Sequence, residues 1–564
     1  MKKSTQTIIL AFASMLITLS AHSNNDEKLT QKIDSLVALQ HSEGEPGGVI
    51  GILSNSKVVM AKGYGLMNID HNQPNDKNTT FDIASVAKQF TAFAILLLEG
   101  EGKLELDKDI RIYLPNLPKY EYTITIRHLL QHTSGIASTD VVRLLAGISF
   151  DELWSQQKEI ELIGQYSQLN FKPNTQHVYS NAGYALLAQI IEVVSGLNFP
   201  IYLQKMVFNP LGMESALVYS DPNVMLANNS IGYKMTEKKP VKVSSTLDYS
   251  YGGSNIYANL NDMIRWGQNF MMPKVGDAHT INRILNTYNT LENGDSINYT
   301  YGFNVRKYKG VKMVEHSGGV PGFRNQFMIF PEEDLIIILM FNNESINTRR
   351  LANGIADILL ANKIIEEQPK PRVEVEINFE KVQKFAGSYQ MGDGMELSFM
   401  VENDTFWLVL PDESKFQLFA EDDYNYFLKA FNAQCTFGNI TNGNVNEMEW
   451  HQGGSSYKAK RGEGKIPLTL EEIARFAGKY YQKELKVEYP IIFENGKLVM
   501  STPQTFKKFL GFDSVILSHI NGDKFLTDKL GVLEFTRDKD NSVNGFVLLD
   551  IGRLQNIKFA IVSK

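Results

Sequence analysis

Ser85 and Lys88, in Phe81-Asp82-Ile83-Ala84-Ser85-Val86-Ala87-Lys88-Gln89-Phe90, have the residue types and spacing of a nucleophile with its base. Three residues apart, they share one face of a helix, so the lysine amine reaches the serine hydroxyl. A serine hydroxyl is a weak nucleophile until a neighbouring base takes its proton, and a desolvated lysine is such a base. The apolar run from Ala92 to Leu98 predicts a buried helix that holds both groups rigidly. Ser-x-x-Lys alone is a weak signal, because a capping serine at an ordinary helix start gives the same spacing. Ser54-Lys57 falls in a predicted hairpin turn, Ser155-Lys158 on a polar helix face and Ser455-Lys458 in a β-rich region, and none of these opens a buried helix.

Two later groups add to the first. Tyr179-x-Asn181 precedes the amphipathic stretch Ala182 to Gly196. A tyrosine outside a helix start is usually core, and Tyr257-Ala258-Asn259 repeats the pattern. Beside a lysine, however, a phenol is favoured in its charged form and can shuttle a proton between nucleophile and leaving group. Asn181 would then present its amide to lysine and substrate. Further on, His316-Ser317-Gly318-Gly319 follows a predicted strand, where glycines signal close backbone approach. A hairpin turn is the plainer alternative, and His451-Gln452-Gly453-Gly454 is a second such run. His132, in Leu129-Leu130-Gln131-His132-Thr133-Ser134-Gly135, reads as a structural histidine bonded to backbone.

These groups must be carried by a framework. Met1-Lys2-Lys3, the apolar stretch Ile8 to Leu19 and Ala21-His22-Ser23 have the parts of a secretory signal, which sets residues 1–23 apart from the fold. The apolar region of that leader is too short to span a bilayer and no later stretch is long enough, so the expectation is a secreted, periplasmic or extracellular protein without stable membrane insertion. Without a cysteine at the cleavage site, a lipid anchor is not expected. The single Cys435 forms no internal disulfide, so stability comes from packed cores. With Lys2 and Lys3 removed, 54 basic residues face 63 acidic ones, and no basic cluster recruits nucleic acid. Lys28 to Gln40 has helical spacing, and Gly48 to Leu53 with Val58 to Ala61 flank Asn55-Ser56 as a hairpin. An N-terminal helix therefore packs on a sheet, and from about Ile136 to Tyr233 the periodicity is helical. Leu335 to Phe341 reads as a buried strand and Arg350 to Ile364 as a closing helix.

Ser85-x-x-Lys88, Tyr179-x-Asn181 and His316-x-Gly318, in that order, resemble the penicillin-recognising serine hydrolases. The nearest group is the class C β-lactamase-related one, which includes esterases, D-aminopeptidases and DD-peptidases. Each motif is weak and the ordered set is strong. The resemblance implies an α/β fold: a β-lactamase-like mixed sheet flanked by helices, with an inserted helical domain over about 104–250, all within residues 24–365. It implies that Ser85 attacks a carbonyl carbon to give an acyl-enzyme and that Lys88 and Tyr179 move the proton. It assigns oxyanion stabilisation to the backbone N–H groups of Ser85 and Gly319, and substrate contact to Asn181, His316, Gly318 and Gly319. No metal or cofactor is implied. Where β-lactamases usually carry Lys-Thr-Gly, this chain has His316-Ser317-Gly318. A histidine of ordinary pKa, ~6.5, is mostly neutral at neutral pH, so the expectation is a pH-sensitive group facing the substrate and a preference for esters, amides or peptides without a required carboxylate.

Residues 366–378, with Glu366-Glu367-Gln368-Pro369-Lys370-Pro371, read as a linker. The remainder of the chain is a duplication, with one copy over 379–463 and the other over 464–564. Phe385-Ala386-Gly387-Ser388-Tyr389 matches Phe476-Ala477-Gly478-Lys479-Tyr480 at an offset of 91, and Phe427, Phe437 and Val445 match Phe525, Phe535 and Val543 at 98. A rising offset is what loop insertions produce. Short alternating strands with polar turns predict two small antiparallel barrels, resembling the lipocalin-like ones that follow the catalytic domain in some D-aminopeptidases. The function expected is a serine hydrolase acting on a small-molecule ester, amide or peptide. The alternatives are a non-catalytic binding scaffold using the barrels, which an intact Ser85, Lys88 and Tyr179 disfavour, and a β-lactamase, which His316 disfavours.

Overall fold

The computed structural model describes residues 27–237, 239–243, 247–365, 372–391, 396–410, 414–441, 445–452, 455–462 and 468–563. The predicted leader and the first part of the predicted linker lie outside these residues. The chain divides into two compact units, Met1–Arg143 with Ser149–Glu366 and Leu144–Ile148 with Glu367–Lys564.

In the first unit, β1 (Gly48–Ser54), β2 (Lys57–Tyr64), β3 (Asn304–Tyr308), β4 (Val311–Val320), β5 (Phe323–Phe330) and β6 (Leu335–Phe341) form one sheet in the order β3-β4-β5-β6-β1-β2. Every pairing is antiparallel. This corrects the mixed sheet that was expected, and the reason is local: β3 to β6 are joined by only two to four residues, which suffice for hairpins and not for parallel crossovers. The β1–β2 turn has Asn55 at φ 49° and Ser56 at φ 59°, the doubly left-handed hairpin that matches strand twist.

The sheet is covered on both faces, which is why Leu335-Ile336-Ile337-Ile338-Leu339-Met340-Phe341 is apolar without alternation. On one face, helical residues 27–38 and α4 (Thr348–Leu359) bring Ile33, Val37, Leu351 and Ile355 onto Ile50, Ile337 and Leu339. On the other lie α1 (Lys88–Gly100) and α3 (Leu260–Met271), where Trp266 packs on Phe90 with ring centroids 4.3 Å apart and bonds Gln89 at 2.8 Å. Between Leu104 and Ser250 the chain is mainly short helices around α2 (Asn181–Ser195), with brief strands such as Trp154–Ser155 and Leu217–Val218 inside the stretch expected to be helical. Among the described residues no single helix is long and apolar enough to cross a membrane.

The second unit contains two closed eight-stranded barrels, one from Gly387–Met391 to Ser455–Arg461 and one from Gly478–Gln482 to Gln555–Ser563, their strands in sequence order. Their interiors are filled with aromatic side chains: Tyr389, Phe399, Phe406, Tyr426 and Phe437 in the first, Tyr480, Phe525, Phe535 and Phe546 in the second. The Tyr389 hydroxyl donates to the Phe385 carbonyl at 2.9 Å, and the Tyr480 hydroxyl donates to the Phe476 carbonyl at 2.7 Å. The repeated Phe-Ala-Gly-x-Tyr motif is thus the same tyrosine-to-backbone clasp made twice. Cys435 is buried in the first barrel, where burial pushes its thiol pKa up.

Candidate active site

The turn that carries Ser85 is gripped from both ends. Phe81–Asp82 pairs with Ile256–Ala258, and Ile83 donates its N–H to the Ile256 carbonyl at 3.0 Å. The Asp82 carboxylate accepts the Ala84 N–H at 2.8 Å, and Asn325 of β5 donates its amide to the Asp82 carbonyl at 3.0 Å. Ala84 takes φ 51°, a left-handed conformation that costs a side-chain-bearing residue roughly 1–2 kcal/mol and that these bonds hold. A 3-10 turn, Ala84–Ala87, then leads into α1. Ser85 therefore lies just before the α-helix that its spacing with Lys88 suggested, half-buried between the buried Ala84 and Val86.

Lys88 is fully buried. Its Nζ donates to the Gly253 carbonyl at 2.8 Å, to Asn181 Oδ1 at 2.9 Å and to Ser85 Oγ at 3.3 Å. An ammonium has three N–H groups, and these are three acceptors. Asn181 is the first residue of α2, and its own N–H is held by the Ser138 hydroxyl at 3.1 Å. The rings of Tyr179 and Tyr184 face the same ammonium with centroids at 4.9 and 5.5 Å, within cation–π range. The predicted Ser85, Lys88, Tyr179 and Asn181 thus converge on one point.

His132 fills the structural role expected of it. Its Nδ1 accepts the Ser180 N–H at 3.2 Å and its carbonyl accepts the Val178 N–H at 3.0 Å, so it fixes the segment that carries Tyr179 and Asn181. Its ring lies against Tyr179 with centroids 4.2 Å apart.

Gly318 of β4 touches the Ser85 turn directly: a Cβ there would lie 2.3 Å from the Ile83 carbonyl oxygen and 3.3 Å from the Ala84 Cβ. The signal of close backbone approach was sound, although the glycines lie within the strand and not after it. Gly319 is exposed, on a stretch of β4 beyond its last pairing with β3 at Asn304 and Glu315. Beyond that pairing the strand runs against the Ser85 turn, at Gly318.

His316 departs from expectation. It is 4% exposed, its Nδ1 lies 2.6 Å from the Ser317 carbonyl and its Nε2 lies 3.0 Å from the Tyr299 hydroxyl. A carbonyl only accepts, so Nδ1 carries the proton and Nε2 accepts from Tyr299. Burial, joined by the positive charges of Lys88 and Arg349, pushes its pKa down to about 3. The expectation of a group with an ordinary pKa is therefore corrected: this imidazole is a neutral, doubly bonded wall near Tyr179, at a centroid distance of 6.3 Å.

Three participants escaped the sequence reading. Tyr299 had no local signal. The Gly253 carbonyl acts through backbone, which residue type does not advertise. Thr91, whose hydroxyl donates to the Gly252 carbonyl at 2.6 Å, stands three residues after Lys88 on the same helix face, so its spacing was available. Among the described residues no group of three or more His, Cys, Asp or Glu side chains is arranged to hold a metal ion.

The Beta-lactamase family model matches residues 29–362 of the chain. Penicillin-binding protein 4* of Bacillus subtilis is 26% identical over 413 residues, 69% of this chain and 89% of that protein. A D-aminopeptidase of Gluconobacter oxydans is 27% identical over 300 residues, 53% of this chain, and the match spans 56% of its own length. Among solved structures, the octameric penicillin-binding protein homologue from Pyrococcus abyssi superposes with a TM-score of 0.55 at 22% identity, covering 77% of this chain and 99% of that one. The D-amino acid amidase from Ochrobactrum anthropi SV3, complexed with D-phenylalanine, gives 0.52 at 19% identity, covering 60% of this chain and all of the other. The chain belongs to the β-lactamase family of serine hydrolases.

Proposed function

We propose that this protein hydrolyses an ester, amide or peptide bond of a small acyl substrate through an acyl-enzyme on Ser85, in the manner of an esterase or D-aminopeptidase. The observation that carries the reading is the environment of the Lys88 amine. As a free amine it has two N–H groups and one lone pair. Gly253 and Asn181, at 2.8 and 2.9 Å, are the closer acceptors and take the two N–H groups, so the lone pair is aimed at Ser85 Oγ, 3.3 Å away.

In the first step the Ser85 proton passes to Lys88, Oγ bonds the substrate carbonyl carbon, and the carbonyl π pair moves onto oxygen. The family resemblance assigns that oxyanion to the N–H groups of Ser85 and Gly319, and the close approach of β4 to the Ser85 turn at Gly318, with Gly319 exposed next to it, supports the assignment. Collapse expels the leaving group, which receives its proton from Lys88, with Tyr179 beside the amine to relay it. Water then repeats the sequence on the acyl-enzyme. A neutral His316 supplies no fixed cation, which favours substrates without a required carboxylate at that point and disfavours the β-lactamase reading. The D-aminopeptidases among the relatives support an amide or peptide of a D-amino acid as one substrate class. The charged, apolar and small-residue order of residues 1–23 supports export from the cytoplasm.

Labelling with a fluorophosphonate, followed by peptide mass mapping, tests the reading. One adduct on the peptide containing Ser85, absent from a folded Ser85→Ala protein, is expected. An adduct on another serine, or full turnover by Ser85→Ala, overturns it.

A further inference from the structure

Helix α1 grips two consecutive carbonyls of one loop: Lys88 holds that of Gly253 at 2.8 Å and Thr91 holds that of Gly252 at 2.6 Å. Both side chains are fully buried and lie one turn apart on the same face. The loop has no room to move toward α2. Gly252 has φ 98°, and a Cβ there would lie 2.2 Å from the Tyr184 carbonyl oxygen and 2.9 Å from the Ala188 Cβ. A Cβ on Gly253 would lie 3.1 Å from Lys88 Nζ. The loop is thus held between α2, which carries Asn181, and α1, which carries Lys88.

We infer that Thr91 is a positioning residue for the base: its hydroxyl fixes the Gly252-Gly253 loop so that the Gly253 carbonyl occupies one N–H of Lys88 and leaves the lone pair directed at Ser85. The inference rests on the proposed role of Ser85 and Lys88. Nothing in the reaction touches Thr91 itself. A threonine hydroxyl in the second turn of a helix commonly bonds back to its own helix, and this one instead bonds across to the loop, where it completes a cradle of three elements around one nitrogen.

Loosening the loop has two effects. The amine loses an orienting acceptor, so proton transfer from Ser85 slows even when the amine is free. A carbonyl acceptor also favours the ammonium over the amine, so its loss lets the amine form at lower pH. The groups that face Lys88 include the rings of Tyr179 and Tyr184, the neutral His316, Asn181, Ser85 and the Gly253 carbonyl, and only the last of these depends on Thr91. A slower plateau combined with a lower midpoint is a signature that loss of folded protein does not produce.

The test compares parent, Thr91→Val, which keeps the shape without the hydroxyl, and Thr91→Ser, which keeps the hydroxyl. Acylation by p-nitrophenyl acetate is followed by stopped flow from pH 5 to 9, with rates normalised to the fraction of sites titrated by fluorophosphonate. Thr91→Val is expected to lower the plateau rate roughly tenfold to a hundredfold and to move the acid-limb midpoint down by about half a unit or more, with Thr91→Ser restoring both. An unchanged midpoint in Thr91→Val, whatever its melting temperature or titrated fraction, overturns the inference. So does a Thr91→Ser protein that behaves like the valine variant. Should the parent carry its adduct on a residue other than Ser85, the proposed function has failed, and this is read before any Thr91 variant is compared.

Discussion

Gly318→Ala tests the contact between β4 and the turn that carries Ser85. The added Cβ would lie 2.3 Å from the Ile83 carbonyl oxygen, and real Cβ atoms do not approach heavy atoms within 3.0 Å, so strand and turn must separate by about 0.7 Å. Both sides of the contact are backbone, which leaves no rotamer to absorb the clash. The turn is also tied to β5 through Asn325 and to Ile256, so the displacement falls on the gap between Ser85 and Gly319. If those two N–H groups stabilise the oxyanion, misaligning one costs roughly 10²- to 10³-fold in rate, whereas overpacking costs about 1–3 kcal/mol of stability. A protein with ordinary stability of about 5–15 kcal/mol survives that loss. The assay is the acylation burst with p-nitrophenyl acetate per titrated site, alongside the melting temperature. Gly164→Ala, on a helix away from the Ser85 turn, is the control, because a Cβ there would meet nothing within 4 Å. The expected result is a roughly hundredfold slower burst for Gly318→Ala and a burst within about threefold of parent for Gly164→Ala. Parent-like acylation by a folded Gly318→Ala protein refutes the reasoning.

Other consequences are as direct. His316 has its pKa depressed to about 3 in the fold, so its neutral form contributes stability that is complete above the ordinary value of ~6.5 and is lost as pH falls toward 3. Denaturant titrations should show the parent losing more stability between pH 6.5 and 4 than His316→Gln, by up to about 1.4 kcal/mol per unit, and parallel curves would contradict the burial argument. Asn181→Asp places a carboxylate 2.9 Å from the Lys88 ammonium, which should raise the midpoint of the acylation pH profile, and a midpoint that falls would be inconsistent with that contact. Tyr389→Phe and Tyr480→Phe each orphan a buried carbonyl and should each cost about 1–2 kcal/mol in melting experiments, additively, with acylation per titrated site unchanged. A loss of acylation in either would assign the barrels a part in the site.

What the sequence made legible was local. Ser85 and Lys88 stand out from the three other Ser-x-x-Lys pairs by the buried helix next to them and by the Tyr179 and His316 motifs that follow, and the structure accounts for those three separately. Asn55-Ser56 turns a hairpin, the Ser155 hydroxyl caps a helix by accepting the Lys158 N–H at 3.3 Å, and Ser455–Arg461 is a barrel strand. The duplicated Phe-Ala-Gly-x-Tyr motif disclosed two barrels because each copy repeats its own internal clasp. His316 was misread for a physical reason: its charge state depends on burial, on Tyr299 and on the charges of Lys88 and Arg349, which come from different elements. The Gly253 carbonyl was invisible because backbone acceptors look alike in every sequence. The mixed sheet came from the family resemblance and not from the residues, and the short connections between Asn304 and Phe341 are hairpins that pair their strands antiparallel.

The most direct measurement of the central claim is an acid-quenched acyl-enzyme. The full chain is mixed with a p-nitrophenyl ester, stopped within the burst, digested, and its peptides weighed. One acyl group on the peptide containing Ser85 is predicted, its population rising as p-nitrophenol is released and absent from Ser85→Ala and from parent blocked with fluorophosphonate. Turnover of the same ester with no acylated peptide at any quench time, or with the acyl group on a different residue, would contradict the account.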